Sequence, residues 1–225
     1  PHILDRNQYD PIDEKLTAKM HKAIAICQFK AEGQRIMAHP EYKLDQRLLL
    51  DKINWQEGTV TVEGNVYPLR DTNFPTVDPE NPYAFTEEEQ EVMNSLEASI
   101  LNSDKLQEHI RFLYSHGALY TKANGNLLYH GCIPMTDEGE FEEVEINGSR
   151  YKGKGLMDYL DDQVRKAYFS PSEAKESGRL GDLMWYLWLG GNSPLFGKDK
   201  MTTFERLFIA DKASHKEHVL SLIHI

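Results

Sequence analysis

Residues 124–134 read NGNLLYHGCIP. Asn124-Gly125 is the dipeptide that a two-residue hairpin turn favours, because both of its central positions need positive φ. The apolar run Leu127-Leu128-Tyr129 supplies one strand, and ALYTK before the turn supplies its partner. The run ends on His130 with Gly131 directly behind it. Two readings are open. His130 is an ordinary histidine at a loop edge, or it is a metal ligand on the lip of a sheet, where strand ends build α/β active sites. Gly131, lacking a side chain, lets backbone, substrate or a second ligand approach closely. Spacing alone does not choose between them.

Working outward, FEEVEINGSRYKG repeats the hairpin device around Asn147-Gly148, and GLMDYLDDQVRKAYF predicts a helix with Leu156, Leu160, Val164 and Ala167 on one side. Upstream, TEEEQEVMNSLEASILNS has Thr86 as N-cap, Glu89 completing a capping box, and Val92, Met93, Leu96 and Ile100 as the expected buried stripe. SDKLQEHIRFLYSHG follows, capped by Ser103 and closed at Gly117, which predicts a helical hairpin. RLLLDKINWQEGTVTVEGNVYPLRD reads as a small β-meander with turns near Glu57-Gly58 and at Gly64-Asn65. The first long segment predicts a helix whose apolar face carries Leu16, Met20, Ala23, Ile24, Cys27 and Ala31, divided by Gly33 and ended by Pro40.

The chain has 225 residues, 40% hydrophobic and 27% charged, which describes a globular protein with room for one good core or two. A net charge of −11 argues against a nucleic-acid partner held by a basic surface, while local basic clusters can still bind phosphate. Cys27 and Cys132 are the two cysteines, too few for a disulfide framework and suited to a reducing cytoplasm. No stretch approaches the roughly 20 apolar residues of a membrane span. The opening PHILDRNQYD lacks an initiator methionine and a signal-peptide pattern, which reads as a processed chain, an excised piece or a fragment.

Around the opening stretch, YLDDQVRKAY and WYLWLGGNSPLFGKDKMTTFERLFIADKASHKE resemble class III fructose-1,6-bisphosphatase, a bacterial branch of the calcineurin-like metallophosphoesterase superfamily. MHKAIAICQFK, YPLRDTNFPTVDPENP and EEEQEVMNSL are similar to it too, in register from about residue 11 to Glu217. The resemblance implies that His130 is one ligand of a dinuclear manganese centre. It further implies that the parent enzyme uses metal-activated water to remove the 1-phosphate of fructose 1,6-bisphosphate, giving fructose 6-phosphate in gluconeogenesis. The fold it implies is α/β: residues 118–219 part of a metallophosphoesterase β-sandwich flanked by helices, and residues 1–117 a mainly helical insertion carrying the meander. The superfamily's aspartate-x-histidine pair and its GDxxDR, GNH(D/E) and late GH motifs are absent, and GDLMWY at Gly181 is the nearest string. In the family three of these motifs lie upstream of such a segment and one downstream, so the resemblance implies an interior fragment, inactive by itself. Residues 220–225, LSLIHI, read as a non-native tail similar to a translated library adapter.

Lys198, Lys200 and Arg206 form the basic concentration expected to bind substrate phosphates, unless they only balance Asp199, Glu205 and Asp211. Cys132 reads as a small buried residue rather than a soft metal donor. His21, His39, His109, His116, His215 and His218 show no mutual metal-like spacing and read as surface or helix-end residues. Asp158, Asp161 and Asp162 follow the period of a solvated helix face, and Trp185, Tyr186 and Trp188 read as core. The expected partner is a phosphorylated sugar, with a homo-oligomer open. A different class of reading also stands: a non-catalytic helical regulatory or interaction module on a phosphatase-like sheet.

Overall fold

The Asp13 carboxylate accepts hydrogen bonds from the Lys15 and Leu16 amides at 3.0 Å each, and so opens the first helix, α1 (Glu14–Ala38). The computed structural model describes residues 13–170, 179–197 and 203–209. α1 runs unbroken through Gly33 and stops before Pro40. Gly33 is there for contact, since a Cβ would lie 2.1 Å from the Tyr83 ring. The buried face differs from the expected one. Ala25, Ile26, Cys27, Phe29, Lys30, Gly33 and Ile36 are buried, Cys27 as expected, whereas Leu16, Met20 and Ile24 are 53%, 63% and 41% exposed. The stripe keeps helical spacing but includes a lysine, which a search for apolar residues passes over. Lys30 is fully buried because its ammonium donates to Glu89 at 2.6 Å and to the Thr76 carbonyl at 2.5 Å.

After three short 3-10 turns the chain makes an antiparallel meander of β1 (Ile53–Asn54), β2 (Thr59–Val62) and β3 (Asn65–Pro68). Val62 pairs with Asn65, so the second turn is Glu63-Gly64, one residue earlier than predicted, with φ of 49° and 79°. Val60 and Val62 face α1, where Ala25, Ile26, Phe29, Leu50, Phe74 and Tyr83 complete the first core.

α2 (Glu87–Leu101) and α3 (Asp104–His116) form the predicted helical hairpin, with the Thr86–Glu89 capping box made in both directions. The expected stripe on α2 is not buried: Val92, Leu96 and Ile100 are 50%, 42% and 49% exposed, and Glu89 is the buried residue of this helix. The α2 side that meets α1 is specified by an ion pair, not by hydrocarbon.

β4 (Tyr120–Ala123) and β5 (Asn126–Tyr129) turn at Asn124-Gly125, and β6 (Val144–Ile146) and β7 (Ser149–Tyr151) turn at Asn147-Gly148. Both turns have positive φ at both central residues, as predicted. α4 (Gly153–Phe169) buries Leu156, Leu160 and Ala167, with Val164 packed beside them, against α5 (Arg179–Leu189) and the β6–β7 hairpin. This second core also takes Leu119, Leu183, Tyr186 and Leu187. A last helix, α6 (Thr203–Phe208), returns Phe204 and Phe208 to the first core beside Phe29. Among the described residues the architecture is therefore α/β with helices predominating and three small antiparallel sheets. No described helix is long and apolar enough to cross a membrane.

Candidate functional site

The β4–β5 hairpin closes on the pair Tyr120–Tyr129, and His130 is the next residue, exposed at the hairpin's end. The chain dives immediately afterwards: Cys132, Ile133 and Pro134 are buried. What receives them is the turn at residues 193–197. Fully buried Ser193 organises that turn, its hydroxyl donating to the Leu187 carbonyl at 2.6 Å and accepting from the Leu195 amide at 3.2 Å. Its carbonyl accepts from the Phe196 and Gly197 amides at 3.1 and 2.9 Å.

The two segments lock together through backbone. The Cys132 amide donates to the Pro194 carbonyl at 2.9 Å, and the Cys132 thiol lies 3.4 Å from the Ser193 carbonyl. A Cβ on Gly131 would stand 2.4 Å from the Pro194 oxygen. Gly131 thus admits a neighbouring backbone, the first of the approaches its lack of a side chain allows. Gly197, at φ +64°, does the same for Cys132, whose Sγ would lie 2.5 Å from an added Cβ. Burial pushes the Cys132 thiol up to about 11, so it stays protonated at neutral pH and serves as packing. The result is an exposed imidazole on a rigid base. Ser193, Pro194 and Gly197 had been given no role from sequence, although the turn-rich string NSPLFG was the available signal.

The remaining candidates fall elsewhere. Lys198 and Lys200 lie outside the described residues, as do His215, His218 and the segment 220–225. Arg206 is exposed on α6, whose Phe204 and Phe208 belong to the first core, while the His130 loop rests beside the second. Asp158 pairs with Lys154 one helical turn before it, and Asp161 and Asp162 with Arg165 and Lys166 one turn on. Asp158 and Asp162 lie on the expected solvated face, whereas Asp161 is half-buried and also accepts from the Leu119 amide at 3.2 Å. Tyr186 is buried, but Trp188 is 70% exposed, against the expectation of core. With Trp185, Ile24, Ala31 and Met93 it lines an open groove of about 500 Å³ between α1, α2 and α5.

A manganese centre needs several donors converging on one point. Among the described residues no three His, Cys, Asp or Glu side chains do so. The donors present, one exposed imidazole above a protonated and buried thiol, do not fit such a centre by themselves.

Comparison with known proteins gives this arrangement a family. The family model described as Firmicute fructose-1,6-bisphosphatase matches residues 1–221. Fructose-1,6-bisphosphatase class 3 of Clostridium tetani is 54% identical over 217 residues, which cover 96% of this chain and 33% of that protein. The Clostridium acetobutylicum protein of the same name is 52% identical over the same shares, and that of Clostridium botulinum strain 657 is 54% identical. The chain spans about a third of the length of the curated relatives it matches. No solved structure matches it. The near-complete coverage of this chain, the HGC loop and its NSPLFG seat included, places it in the Firmicute fructose-1,6-bisphosphatase family.

Proposed function

We propose that this chain is part of a metal-dependent sugar bisphosphatase. The whole protein would hydrolyse the 1-phosphate of fructose 1,6-bisphosphate to fructose 6-phosphate and phosphate, a cytoplasmic step of gluconeogenesis. The observation that carries this reading is 54% identity across 96% of the chain to a protein named for that activity.

Within it, His130 would supply one nitrogen donor to a manganese centre. Its exposure at a hairpin end, above a base fixed by the Pro194 carbonyl, suits an imidazole held out for use. The other donors would lie outside the described residues. Lys198, Lys200 and Arg206 would bind phosphate oxygens, Arg206 from an exposed position on α6. Residues 118–219 would then belong to a metallophosphatase α/β core, and residues 1–117 to a helical insertion. The apolar faces left open on α1 and α2 suit burial against another surface, a second copy included.

Assay of the full-length polypeptide that carries this segment tests the reading. Phosphate release from fructose 1,6-bisphosphate should require manganese, and the 225-residue chain alone should release none. A folded parent that hydrolyses no sugar bisphosphate would leave the helical regulatory module as the better reading.

A further inference from the structure

Arg47 ends the short 3-10 helix Asp45–Arg47, beside the first core, and reaches across to the second. Its Nη1 donates to the Leu189 carbonyl at 2.6 Å. Its guanidinium carbon lies 4.9 Å from the centroid of the Phe196 ring. Leu189 is the last residue of α5 and Phe196 belongs to the turn that receives Cys132. One side chain therefore grips both ends of the segment 189–196.

Each contact suits a guanidinium. A terminal helix carbonyl has no intrahelical donor and carries the negative end of the dipole. A planar cation stacks on an aromatic face while its edge still donates. On the first-core side, Glu32 of α1 and Glu205 of α6 act on the same charge; burial lowers the Arg47 pKa, and these two carboxylates oppose that. Arg47 thus faces the carboxylates of one core while it holds the other.

We propose that Arg47 is a positioning residue: it clamps segment 189–196 to the first core, and through the Pro194 carbonyl it fixes the Gly131–Cys132 backbone and hence how His130 is presented. The mechanical half of this stands on the contacts alone. The consequence for turnover rests on the reading of His130 as a ligand.

The two cysteines make the test internal. Cys132 bonds the clamped turn through both its amide and its thiol, whereas Cys27 is buried on α1 and reports opening of the whole fold. In iodoacetamide labelling of the full chain, Arg47→Met should speed modification of Cys132 about tenfold and leave Cys27 within about twofold, as local opening requires. Arg47→Lys keeps a cation and a donor and should stay within about threefold of wild type. Equal acceleration of both thiols, or none at Cys132, overturns the clamp. If Arg47→Met does not fold, Phe196→Leu removes the stacking alone and should still expose Cys132 selectively; no selectivity there overturns it equally.

In the full-length parent, Arg47→Met should lower kcat about tenfold with KM within about twofold, and Arg47→Lys should recover most of the loss. Loss in His130→Ala with none in Arg47→Met overturns the positioning role. No loss in either variant overturns the reading of His130, and the positioning role with it.

Discussion

Replacing Gly131 by alanine tests the joint beneath His130 with a single methyl group. The added Cβ would stand 2.4 Å from the Pro194 oxygen and 2.8 Å from the carbonyl carbon and oxygen of Leu195, where ordinary contact begins near 3.4 Å. All three obstructing atoms are backbone, so no flexible side chain can swing aside, and the segments must part by about 1 Å. Overpacking of this kind costs about 1–3 kcal/mol. Parting the segments also weakens the hydrogen bond from the Cys132 amide to Pro194, worth about 1 kcal/mol net. Urea denaturation of Gly131→Ala should therefore show a loss of about 2–4 kcal/mol, together with faster amide exchange at Cys132. Gly155→Ala is the control. It lies on α4 with nothing within 4 Å of its added Cβ, and it should be neutral or stabilising by up to about 1 kcal/mol. A Gly131→Ala chain as stable as wild type, with Cys132 still protected, would refute the joint.

Glu89→Gln should strand the Lys30 ammonium in the core and cost about 3–5 kcal/mol, read by urea denaturation, while Lys30→Met with Glu89→Leu should cost clearly less. Burial alone would raise the Glu89 carboxyl, but hydrogen bonds from Lys30, Thr76 and the Thr86 amide outweigh it and hold the group below the usual carboxylate range. A carboxyl lowered by folding stabilises the fold above its unfolded value, about 4.3, and that contribution is lost as pH falls through the folded value. The acid limb of the stability–pH profile should accordingly flatten in Glu89→Gln. Tyr83→Phe removes a hydroxyl that donates to Asp51 at 2.6 Å and accepts from the buried Leu50 amide at 3.2 Å, and should cost about 1–3 kcal/mol by thermal or urea melting.

The features legible in the sequence are those whose partners lie close along the chain. The Asn-Gly hairpins, the Thr86–Glu89 box and the α4 stripe each need only local chemistry, and each formed as read. On α1 the apolar residues that face inward are Ala25, Ile26, Cys27, Phe29 and Ile36 rather than the stripe from Leu16 through Ile24, and on α2 the expected stripe stays exposed. The contact between those helices is Lys30 with Glu89, 59 positions apart, and burial of a charged pair leaves no hydrophobic trace. The leftover apolar residues Leu16, Met20, Val92 and Leu96 remain exposed. The site divides in the same way. His130 stood out as an imidazole at a strand end, and Gly131 as a point of close approach. That the approaching group is the backbone of Pro194 depends on a turn more than sixty residues on, whose own anchor, Ser193, carries only a hydroxyl to advertise it. Lys198 and Lys200 share a string with Arg206, but only Arg206 falls among the described residues, and it belongs to the first core's helix.

The most direct test of the account is His130→Ala in the full-length polypeptide. Manganese-dependent release of phosphate from fructose 1,6-bisphosphate should fall by about a hundredfold or more, as expected for loss of a metal-binding imidazole. In the absence of manganese the thermal midpoint should hardly move, because the removed ring is exposed and Cys132 keeps its bond to Pro194. Turnover close to wild type in that variant would contradict the account.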